Sequence, residues 1–139
     1  CRLITELSSN IYIMVSKKII THTAELWVDD GIYYMINKKG SKETLETIKE
    51  KVVAHNNLGG GNKLPVLVDV RGMRGLSAEA REYGKSKLVK ETYSAIGLII
   101  GSKITWIMAN AFMKLSKPPV PIKIFTKEGD ALSWLNSLK

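Results

Sequence analysis

Residues 64–77 read LPVLVDVRGMRGLS, and this stretch decides the fold. The run Leu64–Val70 is apolar, rich in valine and only seven residues long. That suits a central strand covered on both faces. Glycines then interrupt the chain in Arg71-Gly72-Met73-Arg74-Gly75-Leu76, which reads as a loop. Ser77 follows as an N-cap, since its hydroxyl accepts one of the orphan amides of a helix start. The helix is expected to run from there to about Glu91, with Ala80, Gly84 and Leu88 inward and Gly84 allowing close packing on the sheet. A buried strand, a loop and a helix in this order form the repeating unit of an α/β fold.

The same unit recurs on the C-terminal side. Residues 95–100 (AIGLII) read as a second buried strand, followed by a helix over Lys103–Leu115. Ile104, Ile107, Met108, Ala111, Phe112 and Leu115 give that helix its apolar stripe. Pro118-Pro119 ends it. Residues 120–126 (VPIKIFT) form the last strand, where Pro121 marks a sheet edge because proline cannot donate to a ladder. Glu128–Leu138 closes the chain as a helix with Leu132, Leu135 and Leu138 inward.

On the N-terminal side, residues 19–28 and 32–38 are strand-like and flank Asp29-Asp30-Gly31, which predicts a hairpin. Ser41 is the expected cap of a helix to about Asn56. Leu45, Ile48 and Val52 face its core, while Glu43, Glu46, Lys49 and Glu50 lie on the wet side. Gly59-Gly60-Gly61 terminates it. The order β-β-α-β-α-β-α-β-α predicts an α/β layer fold with a mainly parallel, mixed sheet, an antiparallel first strand and right-handed crossovers.

Composition agrees with one domain. The chain has 139 residues, is 45% hydrophobic and 24% charged, and carries a net charge of +8. Cys1 is the lone cysteine, so no disulfide forms within the chain, and a cytoplasmic location is expected. No apolar run reaches the roughly 18 residues of a membrane span. Residues 1–18 read as an N-terminal extension and 19–139 as a single domain. Met14 before Val15-Ser16-Lys17-Lys18 reads as a natural start, which makes residues 1–13 an upstream extension.

The chemistry-bearing residues are sparse. His22 and His55 are the two histidines. Without a Cys/His cluster no transition-metal site is expected, and without a Gly-x-Ser-x-Gly elbow a Ser-His-Asp triad has little support. The glycine triplet follows a helix and lacks the Lys-Ser/Thr of a phosphate loop. Gly72-Met73-Arg74-Gly75 fails the dinucleotide spacing. No cofactor or metal is therefore expected; the leading reading is non-catalytic, with an enzyme of unknown type as the last alternative.

The leading hairpin, the strand–helix repeats and the closing IKIFTKEGDALSWL together resemble the SpoIIAA-like (STAS-type) superfamily. Ile124, Phe125, Asp130, Ala131, Leu132, Trp134 and Leu135 carry the resemblance at the end of the chain. Val68, Asp69 and Ser77 carry it in the centre. It covers residues 19–139. The resemblance implies a non-catalytic regulatory or protein-interaction domain, like the anti-sigma factor antagonists that are switched by phosphorylation of a serine where the central loop meets the second helix. Ser77 is the nearest match. The family's Asp-Ser-Ser/Thr-Gly box is replaced here by Arg71-Gly72-Met73-Arg74-Gly75, which argues against the switch. Related domains imply an alternative, the binding of a small anionic or apolar ligand or a lipid.

Two surfaces follow as candidates. Asp69, Arg71, Arg74, Ser77, Arg81 and Lys85 fall at the carboxyl end of the central strand and on the next helix, the rim where open α/β sheets bind ligands. Two arginines beside a helix N-terminus suit an anion or an acidic partner; otherwise they pair with Asp69, Glu79 or Glu82. Residues 71–103 hold half of the net +8 charge. No groove-reading element or aromatic platform accompanies that charge, so nucleic acid is not the expected partner. Trp106 and Met113, opposite the core stripe of their helix, form the second candidate: an apolar interface with a protein partner or a second copy, or ordinary packing.

Overall fold

The computed structural model describes residues 18–101 and 120–139. The helix expected over 103–115, with Trp106 and Met113, lies outside the described residues, as do residues 1–17. The elements are β1 (Ile19–Ile20), β2 (Ala24–Asp29), β3 (Ile32–Asn37), β4 (Lys42–Glu43), α1 (Leu45–Leu58), β5 (Leu64–Asp69), β6 (Gly75–Leu76), α2 (Ala78–Tyr83), α3 (Lys87–Thr92), β7 (Tyr93–Ile99), β8 (Ile122–Phe125) and α4 (Glu128–Ser137).

The main sheet has the order β1-β2-β3-β5-β7-β8. Its first three strands are antiparallel, and β3, β5, β7 and β8 run parallel. This is the mixed, mainly parallel sheet expected from the alternation of elements. β5 is central, and β8 lies at an edge directly after Pro121. Successive residues of a strand point to opposite faces, so the sheet carries two cores. Val52 of α1 and Val89 of α3 pack on Leu26, Tyr33, Met35, Val66 and Tyr93. Ala131 and Leu135 of α4 pack on Ile32, Leu67, Ala95 and Ile99 across the sheet. Tyr33 is fully buried, while its neighbour Tyr34 is half-buried on the opposite face and stacks on Trp27.

Five local readings are corrected, the simplest being Leu138, expected inward but 48% exposed at the end of α4. The first strand is broken at Thr21–Thr23, because the Thr21 hydroxyl accepts from the Thr23 and Ala24 amides and closes a turn. The first helix is capped by Thr44 rather than Ser41. Lys42 and Glu43 pair in parallel with Gly75 and Leu76, so the chain stays extended until Thr44. Glu43 is buried, not on the wet side. The helix expected from Ser77 to Glu91 is two short helices. Gly84 ends the first, and Ser86 caps the second by accepting from the Val89 amide.

Candidate functional site

The loop between β5 and α2 carries Arg71, Arg74 and Ser77, and its backbone is bound to the neighbouring segment 40–43. Gly40 N–H donates to the Gly72 carbonyl at 2.7 Å, Arg74 N–H to Ser41 at 2.8 Å and Ser77 N–H to Glu43 at 2.9 Å. The crossing is close at Gly72. A Cβ there would lie 3.0 Å from the backbone carbonyl of Lys38, tighter than nine in ten real Cβ contacts, so the backbone would have to give.

Asp69 closes the end of β5. Its carboxylate accepts from Arg71 Nε at 3.0 Å, from Arg71 Nη2 at 2.7 Å and from the Arg71 amide at 3.0 Å. Burial pushes the Asp69 carboxyl up, but these bonds and the guanidinium charge together outweigh it and hold it below the usual aspartate value. Arg71 is thereby oriented by a fork-to-fork pair, with its side chain still 49% exposed. Arg74 is exposed and donates through Nε to the Gly40 carbonyl at 2.9 Å. Ser77 caps α2, its hydroxyl accepting from the Ala80 amide at 3.0 Å. Arg81 and Lys85 are exposed beyond it, and Lys85 lies 3.6 Å from Glu82. The end of β5, the loop, α2 and the turn after it thus hold the six residues of the first candidate surface. The arginines do not converge on one point: Arg71 turns to Asp69 and Arg74 to Gly40.

Beside this surface, α1 and α2 leave an open groove of about 570 Å³ lined by Leu45, Lys49, Ala78, Glu79, Glu82 and Tyr83. Leu76, at the end of the loop, is 44% exposed.

Two buried polar clusters escaped the sequence. Lys51 is fully buried, and its ammonium donates to both Glu43 carboxylate oxygens at 2.9 Å and to Asn37 Oδ1. Thr47 donates to the same Glu43 carboxylate. Burial lowers the Lys51 ammonium below the ordinary lysine range, with Glu43 pulling against it. One turn further, His55 is also fully buried. Its Nε2 lies 2.8 Å from the Tyr34 carbonyl and its Nδ1 2.7 Å from the Tyr93 hydroxyl. A carbonyl only accepts, so Nε2 carries the proton and Nδ1 accepts from Tyr93. Burial lowers the imidazole to about 4, keeping it neutral. A signal for both was present in the sequence: Ile48, Lys51, Val52 and His55 share one helical face.

Among the described residues no group of His, Cys, Asp and Glu could hold a metal ion. Among the same residues no helix is long and apolar enough to cross a membrane.

The architecture is similar to known folds. An uncharacterised DUF3478-family protein with a SpoIIAA-like fold from Shewanella loihica PV-4 matches with a TM-score of 0.53 at 18% identity, over 86% of this chain and 99% of that one. An anti-sigma factor antagonist from Mycobacterium paratuberculosis matches with a TM-score of 0.52 at 16% identity, over 82% and 93%. The chain matches no curated protein. The fold is therefore SpoIIAA-like, as the sequence resemblance implied. Residues 26–139 match the model of a family described as a domain of unknown function, DUF7793, and the chain belongs to that family.

Proposed function

We propose that the chain is a non-catalytic regulatory domain that binds a protein partner through the loop after β5 and through α2. The observation that carries this reading is the loop itself. Its backbone is held at Gly72, Arg74 and Ser77, yet it presents Arg71, Arg74 and Leu76 outward. A prearranged surface with two guanidinium groups beside an apolar side chain loses little ordering entropy on binding. It suits a partner offering carboxylates around an apolar contact. Likeness in fold to an anti-sigma factor antagonist supports the same class of function.

Ser77 acts here as a helix cap, and the phosphorylation switch is the less supported form of the reading. The alternative of a small enclosed ligand or lipid draws no support from the α1–α2 groove, which is open to solvent. The proposed domain is cytoplasmic, and a second copy remains the other protein partner to test.

The test is affinity capture from cells of the source organism with the wild-type chain and with Arg74→Glu, followed by mass spectrometry. One partner retained by the wild type and lost with Arg74→Glu supports the surface. Equal retention of every partner overturns it. Incubation with cell extract and labelled ATP tests the switch: label that is absent, or unchanged in Ser77→Ala, removes Ser77 as a phosphosite.

A further inference from the structure

Both ends of the proposed binding loop trace back to one buried ammonium. At the far end, the Ser77 amide donates to the Glu43 carbonyl at 2.9 Å, and the Glu43 carboxylate is held by Lys51. At the near end, the Asp69 carbonyl accepts from Asn37 Nδ2 at 3.0 Å, and Asn37 Oδ1 accepts from Lys51. Asp69 in turn orients Arg71.

A lysine ammonium has three protons, and all three have partners here: Glu43 Oε1, Glu43 Oε2 and Asn37 Oδ1. Glu43 is 4% exposed, Asn37 5% and Lys51 0%. Burying an ion pair rarely adds net stability over apolar packing of the same volume. Its best-attested benefit is to specify one arrangement over others. The arrangement at stake here is the seat of a two-residue strand pair, β4–β6, which is too short to fix its own register.

We infer that Lys51 is the positioning residue of the binding loop, fixing the Asp69 end through Asn37 and the Ser77 end through Glu43. The inference rests on the proposed function only for what the loop is for. The positioning itself is measurable in the free chain. Lys51 touches no partner, and its side chain is sealed beneath the surface that does.

The experiment is amide hydrogen exchange, resolved by residue, on the wild-type chain and three variants. Lys51→Met leaves a buried carboxylate unpaired, so its failure to fold is provided for by the double variant Glu43→Gln/Lys51→Met, which removes both charges. The double variant is expected to exchange the Arg74 and Ser77 amides at least tenfold faster than the wild type, with the Leu67 and Leu98 amides of β5 and β7 unchanged. Asn37→Ala severs the near limb alone. It is expected to speed exchange at Met73, whose amide donates to the Val70 carbonyl, more than at Ser77. Wild-type protection of Arg74 and Ser77 in the double variant overturns the inference. So does a uniform acceleration of loop and strand amides, which is plain destabilisation. None of these readouts uses a partner. Failure of the Arg74→Glu capture experiment therefore leaves Lys51's role standing, and the reverse also holds.

Discussion

The Tyr93 hydroxyl donates to His55 Nδ1 at 2.7 Å in a region of the core where both side chains are buried. The His55 ring also stacks on Tyr33, with centroids 4.8 Å apart, and meets Tyr93 edge-on at 5.6 Å. Three polar rings thus occupy positions where aliphatic packing is the norm, and each has a hydrogen-bond partner, since Tyr33 donates to the Asn62 carbonyl at 2.7 Å. The arrangement favours a neutral imidazole.

The pH dependence of stability follows from that neutrality. The unfolded chain takes up a proton at His55 near pH 6.5, the folded chain only near 4. Unfolding therefore binds a proton within this window, and acid favours it. Stability is expected to fall by up to about 3 kcal/mol between pH 6.5 and 4, and to level off at lower pH as far as His55 is concerned. Urea unfolding at several pH values checks this. A His55→Phe variant with the same slope would show that other groups cause it.

Tyr93→Phe removes the donor and leaves Nδ1 as a buried acceptor without a partner. The expected cost is about 1–3 kcal/mol. Urea denaturation of the variant beside the wild type at neutral pH measures the loss.

Gly59 is fixed by its neighbour. A Cβ at this position would lie 1.8 Å from the Tyr33 hydroxyl oxygen and 2.7 Å from the ring carbon bearing it. Gly59→Ala is expected to cost about 1–3 kcal/mol by overpacking. Thermal denaturation should show a smaller loss in a Tyr33→Phe background, because the nearest clashing atom is then absent.

The Glu43–Lys51 pair is expected to be strongly non-additive. Lys51→Met alone should cost about 3–5 kcal/mol, because it strands a buried carboxylate. The Glu43→Gln/Lys51→Met double variant should recover most of that loss. Denaturant midpoints of the wild type, both single variants and the double variant measure the coupling. Additive losses would mean that the two groups are not paired in solution.

Much of the fold was legible because it rests on periodicity. The apolar runs at 64–70 and 95–100 became the adjacent central strands β5 and β7, and Pro121 stands where the sheet ends. What periodicity missed depended on side chains that bond to the local backbone. The Thr21 hydroxyl turned one strand into two, and Ser86 started a helix inside a run with no apolar break. The β4–β6 pair was hidden for another reason: two residues carry no pattern, and the partners are over thirty residues apart in sequence. The candidate loop was found through its glycines and arginines. Its support was missed because Glu43 and Lys51 are residue types that composition assigns to solvent. Only their partnership makes burial tolerable, and a partnership between a strand and a helix has no fixed spacing.

The Glu43–Lys51 contact also bears on how this family can diverge. A first substitution at either position leaves a lone charge in the core, and the route to an apolar pair runs through that unfavourable step. The two positions should therefore be inherited as one unit. In any DUF7793 protein where an apolar residue stands at the place of Lys51, the carboxylate at the place of Glu43 should be gone as well.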